Sequence, residues 1–255
     1  MKINIFKIGG DVVDNEETLD KFLSLYANTS GAKILVHGGG KIATKISAAL
    51  GIKTQMIEGR RVTDAETIKV VTMVYAGLVN KTIVAKLQAI NLNAIGLSGV
   101  DANLIQSHKR IHSSIDYGLV GDVDKINTNF LTTLLQGNYN PVISPITHNK
   151  KGDLLNTNAD TIASTIAVAM SQEHDVKLNY CFELPGVLKE INQENSLIPT
   201  INKETYRQLK STGIISDGMV PKLDNCFDAI QQGVTQVRIC HALNINTDIG
   251  TILKK

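Results

Sequence analysis

Two short strings carry residue types suited to holding an anion: Lys7-Ile8-Gly9-Gly10 and His37-Gly38-Gly39-Gly40. Glycine lets the main chain approach an oxyanion closely and exposes amide N–H groups as donors. A helix beginning just beyond adds the positive end of its dipole. Each string follows a β-prone run, Ile3 to Lys7 and Lys33 to Val36. Both therefore belong at the carboxyl ends of strands, where open parallel sheets bind ligands. One glycine pair would serve equally well as a tight strand-to-helix turn; two clusters, one headed by lysine, favour phosphate. Neither GxxxxGK[ST] nor GxGxxG is present, which excludes a Walker-type nucleotide binder and speaks against a dinucleotide dehydrogenase. His37 has no matching Ser, Cys or carboxylate arrangement and reads as a turn-stabilising or packed histidine.

Three further segments bear polar groups in suggestive places. Asn156-Thr157-Asn158-Ala159-Asp160 precedes a helix-period run through Ile162, Ile166 and Met170. Asn158 suits an N-cap and Asp160 the first turn, but capping leaves Asn156 unexplained. Lys222 follows a turn, Asp217-Gly218-Met219-Val220-Pro221, at the start of an amphipathic run through Leu223, Cys226 and Ile230. A cation near a helix amino end is disfavoured by about 0.3–1 kcal/mol. A bound anion reverses that sign; a tolerant surface lysine is the alternative. Arg60-Arg61, before Val62-Thr63-Asp64, fits a solvated loop, yet arginine is also the natural bidentate clamp for a carboxylate.

The elements that must position these residues alternate along the chain. β-prone runs lie at Ile3–Lys7, Lys33–Val36, Ala94–Leu97, Pro141–Ser144, Val176–Phe182 and Gln236–Cys240, with amphipathic helical runs between, such as Glu16–Tyr26 and the Ile42, Ile46, Leu50 series. Continuous apolar strands separated by helices predict a three-layer αβα sandwich around a mostly parallel open sheet. Leu104 to Val123 breaks the rhythm: polar, β-branched and turn-rich, it predicts an inserted antiparallel hairpin with Lys109-Arg110 at its solvated tip. The composition changes near residues 146–153, which divides a single 1–255 domain into approximate lobes of 1–150 and 151–255.

With 255 residues and 43% of them hydrophobic, the chain can bury a sizeable core, and wholesale disorder is excluded. Its formal charge of +2 removes the electrostatic case for a nucleic-acid binder. Cys181, Cys226 and Cys240 form an odd set with no CxxC, so disulfide scaffolds and zinc modules are not expected, and a reducing compartment fits. No run of eighteen apolar residues is present, so no membrane association is expected. The charged start at Lys2 lacks the apolar stretch of a signal peptide, and a cytoplasmic protein is expected.

Taken in order, KIGG (7–10), HGGG (37–40), GRRVT (59–63), NTNAD (156–160) and DGMVPK (217–222) resemble the amino acid kinase family over essentially the whole chain. GRRVT and NTNAD resemble the branch that phosphorylates the side-chain carboxylate of N-acetylglutamate in arginine biosynthesis. That resemblance implies that Lys7 and Lys222 contact the phosphoryl group in transit from opposite sides, with Asp160 holding both. It implies that Gly10, Gly39 and Gly40 donate main-chain N–H bonds, that Arg61 clamps the substrate α-carboxylate, and that Asn156 binds near the acylated end. Gly9, Glu183, Gly186, Asp217, Gly218 and Met219 would border ATP, with Mg²⁺ held mainly by its phosphates and by water. Since a glutamate carboxylate with a reference pKa of about 4.3 is already ionised at neutral pH, no general base is required.

Two departures from the family pattern stand out. Cys181-Phe182-Glu183 replaces a hydroxyl residue followed by Asp, and Arg60 replaces an apolar residue. The extra cation leaves open another N-acylglutamate, such as N-succinylglutamate. Glutamate, aspartate, carbamate and UMP are the other family acceptors, and Phe182-Glu183 motivates a non-catalytic nucleotide sensor as the non-enzyme alternative. With Lys7 so near the start, no arginine-sensing leader helix fits before it; an arginine-insensitive homodimer is expected.

Overall fold

The structure is a computed structural model that describes residues 1–57, 59–190, 193–215 and 219–255. Along the chain it runs β1 (Lys2–Ile8), α1 (Gly10–Asp14), α2 (Glu16–Asn28), β2 (Ala32–His37), α3 (Gly40–Ala49), β3 (Met56–Ile57), β4 (Arg60–Arg61) and α4 (Ala65–Thr72). A π-helical segment, Met73–Val79, joins α4 to α5 (Asn80–Ala89). Then come β5 (Ala94–Leu97), β6 (Ile105–Lys109), β7 (Gly121–Ile126), α6 (Thr128–Gln136), β8 (Asn140–Ile143), β9 (Ile146–His148), β10 (Leu154–Asn156), α7 (Ala159–Ser171) and β11 (Asp175–Phe182). The last elements are β12 (Thr200–Ile201), α8 (Lys203–Ser211), α9 (Met219–Gln231), β13 (Gln236–His241) and β14 (Thr251–Leu253).

Eight strands form the central sheet in the order β12-β14-β13-β11-β1-β2-β8-β5. All pairs are parallel except β13 with β14. The strands are apolar on both faces because helices cover both. The period of two sorts each strand between two cores. On β1, Ile3 and Ile5 face one core with Ile162, Ile166, Leu223 and Ile230 of α7 and α9. Phe6 and Ile8 face the other, with Phe22 and Tyr26 of α2 and Val71 and Ile83 of α4 and α5. Lys7 shares the parity of Ile3 and Ile5, so its side chain is directed to the α7–α9 side. That parity decides where the chemistry sits.

The predicted hairpin is present as β6 and β7, antiparallel with a register irregularity between Gln106 and Ser107. It belongs to a second sheet of four strands, β10-β9-β6-β7. Residues 146–153, where the composition changes, are strand β9 and the turn that leads from it into β10 of that sheet. Lys109 is exposed and pairs with Asp116, but Arg110 is drawn inward by Asp122 at 2.6 Å and by the ring of Tyr117. All three cysteines are free and buried.

Continuous helix from Ala65 to Ala89 is long and apolar enough, by length and composition alone, to cross a membrane, although polar residues such as Lys69 and Asn80 interrupt its apolar run. Here it is a core helix: Val70, Val71, Val74, Val79, Ile83 and Leu87 are buried against β-strands and α2.

Candidate active site

The two glycine loops emerge side by side from adjacent strands. β1 pairs with β2 so that Ile8 lies opposite His37, and the Gly38 amide donates to the Ile8 carbonyl at 3.1 Å, tying the loops together. Gly9 caps α1 and Gly39 caps α3, neither with a side-chain cap. A Cβ built on Gly10 would lie 3.9 Å from the Gly40 amide, so the two helix entries converge. Gly39 has φ +154°, and a Cβ there would meet the Tyr75 ring at 3.1 Å. Only glycine suits that position.

His37 is buried, with Nδ1 at 2.8 Å from the Gly38 carbonyl and Nε2 at 3.1 Å from Asn80 Nδ2. Burial pushes its imidazole down to about 4, so it is neutral; donation to Gly38 fixes the tautomer that accepts from Asn80. Asn80 Nδ2 also donates to the Val142 carbonyl at 2.9 Å. The histidine is a packed turn support, in accord with its lack of a catalytic partner.

Arg61 is buried beneath the second loop. Its guanidinium donates to the Gly40 carbonyl at 2.9 Å and to the hydroxyls of Thr44 and Thr54 at 2.8 and 3.0 Å. Asn156 Nδ2 donates to Thr63 Oγ1 at 3.0 Å, and the Asn156 amide to the Leu119 carbonyl. Gly39, Gly40, Arg60, Arg61, Tyr75 and Asn156 line one cleft of about 180 Å³. Sequence reasoning missed Tyr75, which is sent to this cleft by the π-helical segment, a feature that composition does not announce.

The second cluster follows from strand parity. Lys7 points to the α7 face, and Asn158 caps α7 by accepting from the amides of Asp160 and Thr161, which sets Asp160 in the first turn. Lys7 Nζ lies 2.6 Å from Asp160 Oδ1, an ion pair with both side chains largely covered. Lys222, in the first turn of α9, is half-buried and has its Nζ 4.0 Å from the centre of the Phe182 ring; Lys7 Nζ lies 5.3 Å from the same centre. Burial pushes the Lys222 ammonium down; Asp160 raises it and Lys7 lowers it again. The structure thus brings Lys7, Asp160 and Lys222 together at the carboxyl ends of β1 and β11.

The remaining sequence candidates differ in what surrounds them. Glu183 is exposed, near Lys41, which itself pairs with Asp11. Gly186 is buried; a Cβ there would press Leu197 and Thr251 at 2.7 Å, so packing alone demands glycine. Met219 is partly buried against the α7–α9 core. Asp217 and Gly218 lie outside the described residues. Among the described residues no group of three or more His, Cys, Asp or Glu side chains is placed to hold a metal ion.

A doubly covered, mostly parallel sheet, paired amide-rich loops and two lysines about one aspartate define a phosphate-handling α/β protein. Residues 2–241 match the amino acid kinase family, and the chain belongs to it. It is 54% identical to the acetylglutamate kinase of Cytophaga hutchinsonii, over 99% of this chain and 98% of that one. With the acetylglutamate kinase of Phocaeicola vulgatus it shares 52% identity over 100% and 99% of the two chains. Among solved structures, a Streptococcus mutans protein superposes with a TM-score of 0.81 at 27% identity, covering 99% of this chain and 98% of the other.

Proposed function

We propose that the chain transfers the terminal phosphoryl group of ATP to the side-chain carboxylate of N-acetylglutamate, forming N-acetylglutamyl 5-phosphate in arginine biosynthesis. The observation that carries this reading is the Lys7–Asp160–Lys222 cluster beside two amide-rich loops, in a chain more than half identical to acetylglutamate kinases. Phosphoryl transfer asks for positioning and charge stabilisation rather than covalent help from the protein. In this reading Lys7 and Lys222 neutralise the moving PO₃ unit from two sides, and Asp160 offsets their mutual repulsion and holds both in place. Gly10, Gly39 and Gly40 turn their amides to phosphoryl and acceptor oxygens. Arg61, its fork anchored on Gly40, Thr44 and Thr54, grips the α-carboxylate, while Asn156 accepts near the acylated nitrogen.

ATP would lie toward β11 and α9, bordered by Gly9, Glu183, Gly186, Asp217, Gly218 and Met219. The cationic, amide-lined floor fits a polyphosphate, whose phosphates, with water, would hold Mg²⁺. When bound, Mg²⁺ would offset charge on the leaving phosphates. The lobes 1–150 and 151–255 then divide into acceptor and nucleotide halves. A cytoplasmic homodimer completes the reading; exposed Met73 and Leu78, on the same long helix, offer apolar surface for the second copy.

One observation favours a second acceptor. Arg60 lines the same cleft as Arg61, which places another cation where an acyl chain ending in a carboxylate would reach. N-succinylglutamate is that acceptor. Incubation with Mg-ATP, each acyl-glutamate and hydroxylamine traps acyl phosphate as a coloured hydroxamate. Signal with acylated glutamate, and none with free glutamate, aspartate, carbamate or UMP, is expected. The ratio of kcat/KM for the acetyl and succinyl compounds decides between the two acyl groups; no signal with either sinks the reading.

A further inference from the structure

Phe182 ends β11 and shares its strand face with Tyr180 two residues earlier, the two rings lying nearly parallel at 8° with centres 6.3 Å apart. Tyr180 is buried and its hydroxyl donates to the Asp160 carbonyl at 3.2 Å. The carboxylate of the same Asp160 holds Lys7 at 2.6 Å. Lys7 and Lys222 both approach the Phe182 ring, at 5.3 and 4.0 Å from its centre. These contacts close a circuit: Asp160 to Lys7, Lys7 and Lys222 to Phe182, Phe182 to Tyr180, and Tyr180 back to Asp160.

The circuit has an electrostatic problem that the carboxylate alone does not solve. Two ammonium groups in a half-buried site repel, and a single Asp160 supplies one negative charge for both. An aromatic face carries the negative lobe of the ring quadrupole and attracts cations within about 6 Å of its centre. Both lysines fall within that range. Where the family pattern has a small hydroxyl residue, this chain has a ring that attracts two cations without adding a charge.

We propose that Phe182 is a positioning residue whose ring face seats Lys7 and Lys222 together before nucleotide arrives, standing in for the anionic charge that the phosphoryl group later brings. The inference rests on the reading of those lysines as the groups that neutralise the phosphoryl. It separates from simple packing by chemistry: leucine fills similar space and presents no quadrupole, whereas tyrosine presents one. Loss of the ring face destabilises only the charged ammonium, so Lys222 then sheds its proton at lower pH. Among the described residues, the charged and titratable groups facing Lys222 are Asp160 of α7, Lys7 of β1, Cys226 of α9 and Asp11 of α1, and none of them changes in the variant.

The test uses the full chain and two readouts. Hydroxamate kinetics across pH give kcat and both KM values for the wild type, Phe182→Leu, Phe182→Tyr, Lys222→Ala and the Phe182→Leu/Lys222→Ala double variant. Acetic anhydride labelling of the nucleotide-free protein, read by mass spectrometry, reports the reactivity of Lys7 and Lys222. Phe182→Leu is expected to lower kcat about tenfold, to leave acceptor KM unchanged, to move the alkaline limb to lower pH and to speed Lys222 acylation. Phe182→Tyr recovers most of the loss, and Phe182→Leu has a smaller effect in the Lys222→Ala background, where only Lys7 still faces the ring. Wild-type kcat and labelling in Phe182→Leu, with Lys222→Ala still crippled, overturns this inference alone. Full activity in Lys7→Ala and Lys222→Ala overturns the reading beneath it, and this inference as well. If Phe182→Leu does not fold, Phe182→Met carries the same two measurements with the same expected and overturning results.

Discussion

Lys7 of β1 and Asp160 of α7 meet at 2.6 Å although 153 positions separate them, because β1 carries Lys7 on its odd-numbered face and the Asn158 cap starts α7 directly over that face. The pair is an intersection of strand parity and helix capping. Replacing Asp160 by Asn keeps volume and the Asn158 cap but leaves Lys7 and Lys222 without their shared counter-charge. The expected result is a kcat lowered about a hundredfold together with a lowered Tm, since Lys7 is left buried without its partner, measured by the hydroxamate assay and by thermal unfolding.

Arg61 has a different signature. Its fork is tied to Gly40, Thr44 and Thr54, so it is rigid before any acceptor binds. Arg61→Ala is expected to raise acceptor KM about tenfold or more while ATP KM stays near its wild-type value. Arg61→Lys is not expected to rescue, because an ammonium cannot reproduce a planar two-pronged donor.

How much of this was legible beforehand divides along physical lines. Strands and helices announced themselves through period and punctuation, and the ordered glycine, arginine, asparagine and lysine strings named candidates, of which the structure brings Lys7, Asp160 and Lys222 together and sets Gly39, Gly40, Arg61 and Asn156 around one cleft. Asn158 as a cap and His37 as a packed support could be argued from local chemistry alone. Tyr75 could not, because it reaches Gly39 only through a widened helical turn that has no composition signal. Phe182 looked like a lost hydroxyl; only the arrival of two lysines from distant elements gives its ring a role. Gly186 illustrates the converse: a candidate for nucleotide contact whose lack of a side chain is already required by Leu197 and Thr251.

His37 makes acid stability measurable. Its folded pKa, about 4, lies below the ordinary value of 6.5, so between those limits the unfolded chain binds the extra proton and folding weakens as pH falls. Stability from this group is complete above pH 6.5 and declines toward pH 4, by about 3 kcal/mol in all. Protonation would also set an Nε2–H against the Asn80 amide donor. Denaturant titrations at neutral and mildly acidic pH are expected to show this loss in the wild type and a smaller one in His37→Gln.

Gly39 tests the second loop. A methyl group there faces both a left-handed backbone and the Tyr75 ring at 3.1 Å. Gly39→Ala is expected to cost about 1–3 kcal/mol of stability by chemical denaturation and to raise acceptor KM. Tyr75→Ala, itself costly at a buried ring, is expected to combine with Gly39→Ala at less than the sum of the two losses, because it removes the steric half of the penalty.

The π-helical segment Met73–Val79 gives the long helix one residue more per turn than its neighbours α4 and α5. That surplus lets a single rod satisfy two clients: upstream it presents Tyr75 to the Gly38–Gly40 loop, downstream it delivers Asn80 to His37. Winding these same residues at the regular pitch of α4 and α5, with no surplus absorbed, would swing one end by about 100° relative to the other. The helix could then serve the loop or the histidine, and not both.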